Sequence, residues 1–188
     1  FNCDEKKKTR AKTFDKKNIP KLEAELKRNE EMSVILHYKF GVIYVKAGQK
    51  EENEFFSNDT PCEAFWHFMD RIADKIELKG FTGYAAGLDT KQGCTGEFSY
   101  FKKFDETYDV MFHVAPLLPN QMDDPQKLER KRHVGNDVVV VIFLDPERKE
   151  PFDPRVLTSH FNNAFIIVQP SIRVNSNEIG RASCRERV

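Results

Sequence analysis

The residues with the clearest chemical potential lie together in the stretch 128–137, LERKRHVGND. The cations at 130–132 make a local positive field, although the whole chain carries no net charge. Asn136 adds a carboxamide with one acceptor and two donors, and in a helix it would lie on roughly the same face as Glu129 and His133. Such a surface suits docking to an acidic or phosphate-bearing partner. The alternative is a solvated helix face on which Asn136 serves as a turn residue.

The elements on either side of this stretch must position it. The run DDPQKLERKRH predicts a helix with Asp124 as N-cap and Pro125 at the first position. We expect Leu128 and Val134 to anchor that helix to a sheet. The following DVVVVIFLD, residues 137–145, is nearly continuous β-branched sequence, which predicts a central strand buried on both faces.

The rest of the chain alternates between helical and extended patterns. Helices are predicted over 21–32, after Pro20, and from Thr60-Pro61 to a stop at Lys79-Gly80. The stretch 33–49 predicts two short strands or one strand bent at Gly41. Further strands are predicted over 98–104, 108–119 and 165–170, and residues 155–165 are typical of either a short helix or a loop. This alternation predicts an α/β (α+β) fold.

Composition and motifs exclude several functional classes. The 188 residues include 30 Lys and Arg against 30 Asp and Glu, which gives no general reason to expect nucleic acid or an anionic membrane as the partner. No apolar run approaches the ~20 residues that span a bilayer, so direct membrane insertion is not expected. The four cysteines lack metal-type spacing, so no metal is expected. Phosphate-loop, dinucleotide and nucleophile-elbow motifs are not found, so we expect no bound cofactor. The absence of a secretory segment favours a cytoplasmic setting.

The two ends of the chain differ from its middle. Residues 1–19 are dense in charge and predict a flexible lead-in. Residues 178–188, EIGRASCRERV, resemble a translated sequencing adapter, so we expect a non-native tail; the alternative is a natural basic tail.

Beyond these patterns, KRHVGNDVVVVIF resembles the signature of the Rap/Ran-GAP family, which are GTPase-activating proteins for Rap and its relatives. Other segments resemble the family in the same order: HYKFGVIYVKAGQ, EFFSND, LKGFTGYAAGLDTKQGCTGEFSY, VMFHVAPLLP and the stretch from FDPRVLTSHF to IIVQ. Together they cover about residues 36–170. The family's usual GGLDT and TGTHS segments are AGLDT and TGEFS here. The resemblance implies mixed sheets flanked by helices.

The resemblance also implies a mechanism. Members of this family insert an asparagine into the active site of a GTPase that lacks the usual glutamine, and Asn136 matches that position. His133 matches a family residue that is important for activity. Contact with the GTPase is expected from the residues that match the neighbouring family positions: Arg130, Lys131, Arg132 and Asp137. The partner would be a Rap-like small GTPase, with Rheb and Ral types left open, and it would bind the GTP and Mg²⁺ itself.

Finally, the resemblance implies a domain division. Residues 20–93 would form the N-terminal, dimerisation-type region, and residues 94–177 the first part of a catalytic domain truncated at its C-terminus. A homodimer would form through the N-terminal half. Recruitment to membranes would occur through the GTPase. The alternative function is a non-catalytic scaffold that keeps the fold and only binds a GTPase.

Overall fold

The computed structural model describes residues 18–32, 36–104, 108–121, 123–170 and 182–186. The chain divides into two units between residues 35 and 36. The first contains helix α1 (Ile19–Met32), which confirms the helix predicted over 21–32 and begins slightly earlier. Most of the lead-in expected over 1–19 lies outside the described residues.

The second unit contains a seven-stranded mixed sheet. Its strands are β1 (His37–Val45), β2 (Asp74–Glu77), β3 (Phe98–Lys103), β4 (Asp109–Val114), β5 (Val139–Leu144), β6 (Ala164–Val168) and β7 (Ala182–Glu186). The order across the sheet is β2-β3-β4-β1-β5-β6-β7. Strands β4, β1, β5 and β6 pair in parallel, and the outer pairings are antiparallel.

Strand β5 and the C-terminal half of β1, residues 42–45, are buried on both faces. In β5, Val140 and Ile142 pack on one side of the sheet, whereas Val141 and Phe143 pack on the other. Side chains alternate between the two faces of a strand, and helices on both faces therefore need apolar residues at every position. The predicted α/β (α+β) class, with a mixed sheet between helices, is confirmed.

Within the described part of the second unit, three short α-helices cover this sheet: α2 (Glu52–Phe56), α3 (Glu63–Ile72) and α4 (Leu128–Val134). Helix α2 lies in a stretch for which the sequence predicted no regular element. The prediction of a helix continuing to Lys79-Gly80 was wrong, because α3 ends at Ile72. Residues 74–77 instead form β2, in which Ile76 lies opposite Ser99 of β3. Pairing with a neighbouring strand outweighed the helical spacing of the apolar residues.

The sheet joins segments that the sequence had assigned to different regions. Strands β1 and β2 precede residue 93 and strands β3 to β6 follow it, yet all share one sheet. The division between 20–93 and 94–177 therefore crosses a continuous core. Strand β7 lies within the adapter-like segment and pairs with β6. The rest of 178–188 lies outside the described residues, and the origin of that segment stays a prediction.

Candidate functional site

Helix α4 carries the basic stretch, but it starts later than the sequence predicted. Its first residue is Leu128, and Lys127 before it has a left-handed backbone (φ 55°) that interrupts the helix. The expected start at Asp124 and Pro125 was therefore wrong, although Asp124 Oδ2 still accepts a hydrogen bond of 3.2 Å from the Glu129 N–H. Leu128 is 58% exposed, so it is not an anchor.

The other predicted anchor, Val134, packs closely against the centre of β1. A Cβ at Gly41 would lie 2.7 Å from Val134 Cγ1 and 3.2 Å from Asp137 Oδ2. Both distances are shorter than ordinary contacts, so only glycine lets the end of α4 come this near to the strand. Strand β1 runs unbroken through Gly41. The strand is therefore not divided in two at Gly41, and the glycine serves close packing there.

Asn136 is exposed immediately after the C-terminal end of α4. Its backbone N–H donates to His133 O at 3.1 Å, which continues the helical turn by one more bond. Its side-chain Nδ2 donates to Arg132 O at 2.6 Å. The last carbonyls of a helix have no partner within the helix, so this bond satisfies one of them.

Asn136 lines an open groove of about 480 Å³ between α4 and the chain before β6. The groove walls include Glu129 and Arg132 from the helix side and Ser159 and Phe161 from the other side. Phe161 is 63% exposed. The groove therefore combines a carboxamide, charged groups and an apolar side chain that contacts solvent.

A buried polar network lies beneath the Asn136 turn. Asp137 is fully buried, and its Oδ2 lies 2.8 Å from Nδ1 of the equally buried His113. The other ring nitrogen of His113 lies 3.2 Å from Ala86 O. Lys39 Nζ approaches the second carboxylate oxygen of Asp137 at 3.6 Å. The carboxyl group of Asp137 is thus held inside the domain, directly beside the exposed asparagine.

His133 lies above this network, half-buried, with its ring 5.4 Å from that of His113 in an edge-to-face arrangement. Burial, and to a smaller extent the electrostatic influence of His113, Arg132 and Lys39, lowers the pKa of His133 to about 4. The imidazole is therefore neutral near pH 7. It supports the end of the helix by packing and does not add to the basic surface.

The sequence predicted that Arg130 contacts the GTPase, whereas its side chain is buried in the structure. It is only 2% exposed, and its guanidinium donates to the carbonyl oxygens of Leu118, Phe56 and Asn58 and to the Asp59 carboxylate. Burial lowers the pKa of Arg130, whereas the Asp59 carboxylate opposes that shift. A side chain with these partners joins α4 to two distant loops, so we assign it a structural role.

The two following cations have different surroundings. Lys131 Nζ lies 2.9 Å from a Glu52 carboxylate oxygen and donates to Asn53 Oδ1 at 2.6 Å. Arg132 is 59% exposed and contacts Glu129 at 3.3 Å within its own helix. Surface pairs of this kind contribute little to stability. Arg132 is thus the member of the basic run with the most freedom to meet a partner.

The comparisons with known proteins decide the family. A family model described as Rap/ran-GAP matches residues 55–185. The chain belongs to the Rap/ran-GAP family. It is 42% identical over 151 residues to "GTPase-activating Rap/Ran-GAP domain-like protein 3" of Gallus gallus, a match that covers 80% of this chain and 16% of that protein. It is 43% identical over 152 residues to "Signal-induced proliferation-associated 1-like protein 3" of Mus musculus, covering 81% of this chain and 8% of that protein.

A solved structure gives the same result for the fold. The "Structure of the TSC2 GAP domain" matches with a TM-score of 0.72 and 29% identity, over 80% of this chain and 81% of that one. The fold and the resemblance that the sequence predicted are therefore confirmed. This chain spans a small part of the curated relatives, at 8 to 16% of their length.

Sequence reasoning missed the residues that hold the Asn136 turn in place. Ser159 and Asn162 lie in the stretch that the sequence left open between helix and loop; the structure gives it a 3₁₀ turn (Pro154–Val156) followed by irregular chain. The run of polar residues just before a buried strand was the available signal, since such side chains often bond to backbone. His113, within the alternating pattern of β4, is buried and bonded to Asp137.

Two classes of site are not found in the described part of the chain. Over those residues, no group of three or more His, Cys, Asp or Glu side chains could hold a metal ion. Likewise, none of the helices described above is both long enough and apolar enough to cross a membrane.

Proposed function

We propose that this domain accelerates GTP hydrolysis by a Rap-like small GTPase, into whose active site it inserts the side chain of Asn136. The observation that carries the proposal is the placement of Asn136. It is an exposed carboxamide at the end of a packed helix, on the wall of an open groove. Membership of the Rap/ran-GAP family and the names of the relatives support the same activity.

The chemistry of GTP hydrolysis fits a single donated side chain. The reaction needs an oriented water and stabilised phosphate charge more than covalent help. A carboxamide can accept a hydrogen bond from the water through its oxygen and donate from its nitrogen. To do so, Asn136 exchanges its bond to Arg132 O for bonds in the partner. An exposed amide–carbonyl bond contributes only about 1 kcal/mol, so that exchange costs little.

The domain itself performs no separate reaction in this proposal. The GTPase holds the GTP and Mg²⁺, and this chain supplies Asn136 together with the surface that docks it. Arg132 steers and holds the partner, so Arg132→Ala should weaken association in a salt-dependent way. His133 supports the asparagine through packing, and Asp137 does so from inside the domain.

One observation favours the scaffold alternative. The Asn136 side chain already has a hydrogen-bond partner in Arg132 O, as a turn residue with a purely structural role would have. A scaffold would bind the GTPase without changing its rate of hydrolysis. Binding and hydrolysis must therefore be measured separately.

The test is single-turnover hydrolysis of GTP preloaded on Rap, Rheb or Ral, with this domain in increasing excess. Binding is followed in parallel with a non-hydrolysable GTP analogue. We expect acceleration that saturates with the domain, strongest for Rap. Binding without acceleration on all three GTPases would establish the scaffold instead. The homodimer stays a prediction, which light scattering of the purified chain will decide.

A further inference from the structure

The turn that carries Asn136 accepts a series of hydrogen bonds from the segment 159–164. The carbonyl oxygens of four residues in the turn accept hydrogen bonds from that segment: Val134, Gly135, Asp137 and Val138. The last of these accepts from two backbone N–H groups, those of Asn163 at 2.9 Å and Ala164 at 3.0 Å. The first three accept from side chains, which makes this part of the turn dependent on particular residues.

Asn162 spans the turn from beneath. It is only 3% exposed, and its Nδ2 donates to Val134 O at 3.0 Å and to Asp137 O at 2.5 Å. A carboxamide nitrogen has two N–H bonds, and each one meets a carbonyl here. The two acceptors lie on either side of the Gly135–Asn136 dipeptide. One buried side chain thus sets the distance across the residue that faces the partner.

Ser159 holds the middle of the same turn. Its Oγ donates to Gly135 O at 2.5 Å and accepts from the Phe161 N–H at 3.1 Å. Gly135 is tightly enclosed, because a Cβ there would collide with Lys131 O and reach 3.7 Å from Ser159 Cβ. The hydroxyl therefore meets the turn at a residue where a side chain has no room.

Helix α4 cannot fix this geometry by itself. It has seven residues, and helices of that length are unstable on their own in water. Its C-terminal carbonyls need partners from elsewhere in the fold. Two of them, those of Val134 and Gly135, find these partners in Asn162 and Ser159. The direction in which Asn136 points thus depends on a segment more than twenty residues later in the chain.

We propose that Asn162 and Ser159 are positioning residues that hold the backbone on either side of Asn136, so that its side chain enters the partner active site in one orientation. This inference rests on the proposed function, because it assigns a consequence in catalysis to the bonds. A positioning role predicts a loss in kcat, since the asparagine still reaches the partner but is misplaced at the water. A role in direct contact would instead raise KM.

The main variant is Asn162→Asp, which keeps the shape of the side chain and removes both donors. The matched control is Asn163→Asp, which places the same charge one residue away. The Asn163 side chain is exposed and donates to Phe161 O at 3.0 Å, outside the Asn136 turn. We expect kcat of Asn162→Asp to fall roughly tenfold to a hundredfold, with KM within about twofold of wild type. The control should match wild type in both constants.

Ser159 provides a milder pair of variants in case Asn162→Asp does not fold. Ser159→Ala removes the bond to Gly135 O, and Ser159→Thr keeps a hydroxyl there. We expect a smaller fall in kcat for the alanine variant, about threefold to tenfold, and recovery in the threonine variant. Equal kcat values for Ser159→Ala and wild type would overturn the role of Ser159.

A second readout does not depend on any GTPase. Hydrogen exchange of the Asn136 and Asp137 amides should be about tenfold faster in folded Asn162→Asp than in Asn163→Asp, because the turn opens more often. Unchanged exchange would overturn the inference, as would an unchanged kcat or an effect on KM alone. If wild type does not accelerate hydrolysis, the proposed function fails, and exchange still shows whether Asn162 holds the turn.

Discussion

Replacement of Arg130 tests whether the basic run divides into a buried structural residue and an exposed contact residue. Arg130→Met keeps much of the apolar stem of the side chain and removes every donor. Arg132→Met makes the same change two residues later, where the side chain is exposed. If both arginines contacted the partner, the two variants would behave alike. The structure predicts that they differ.

The expected loss for Arg130→Met follows from its partners. Its guanidinium donates to the carbonyls of Phe56, Asn58 and Leu118, the last through two nitrogens. Each buried carbonyl left without a donor lowers the free energy of unfolding by about 1 kcal/mol or more, so the three carbonyls together lower it by at least about 3 kcal/mol. Loss of the ion pair with Asp59 adds to this, so we expect about 3–5 kcal/mol. For a chain of this size, Tm falls by roughly 10 °C.

The assay is urea denaturation at pH 7 together with thermal unfolding of both variants. We expect Arg132→Met to stay within about 0.5 kcal/mol of wild type, as exposed substitutions usually do. It should instead weaken binding to the GTPase, most strongly at low salt. A loss below about 1 kcal/mol in Arg130→Met would refute the structural assignment, because the carbonyls would then have found other partners.

Three further predictions follow from single residues. Ala86 has φ 52°, a backbone conformation that costs an L-residue about 1–2 kcal/mol. Ala86→Gly should therefore raise the free energy of unfolding by about 0.5–1 kcal/mol, because the greater freedom of glycine in the unfolded chain offsets part of the gain. A lower urea midpoint for the variant would contradict this. His133 has a pKa of about 4 when folded against 6.5 ordinarily, so wild type should lose stability as pH falls from 6.5 toward 4, because the unfolded chain takes up the proton first. His133→Gln should show a flatter pH dependence in urea titrations, and parallel curves would exclude His133 as the cause. Phe161→Ser should leave stability unchanged and raise KM about fivefold or more if the exposed ring docks on the partner, and an unchanged KM would remove it from the interface.

The sequence predicted the elements whose pattern repeats locally. The β-branched run of β5 and the helix-forming run of α1 each contain the reason for their structure within a few residues. Helix α3 shows where this fails. Its apolar spacing continues to Ile76, but the backbone there pairs with β3, more than twenty residues later in the chain. A partner at that distance is not visible in a local pattern.

The sequence likewise predicted part of the candidate site and missed the contacts that join distant segments. Asn136 was found because its neighbours resemble a family signature, and the structure places it at the surface. Which of the three consecutive cations is buried depends on which one meets hydrogen-bond acceptors. The acceptors of Arg130 lie 12 to 74 residues away in the chain. The partners of Asn162 lie 25 and 28 residues away. Neither contact follows from spacing, because each is set by how the loops meet across the sheet.

The most direct test of the central claim compares wild type and Asn136→Ala in single-turnover GTP hydrolysis by Rap, at saturating concentrations of each domain. We expect that the variant folds, binds the GTP-loaded GTPase as wild type does, and leaves hydrolysis near its intrinsic rate. Acceleration by Asn136→Ala equal to that of wild type would contradict it.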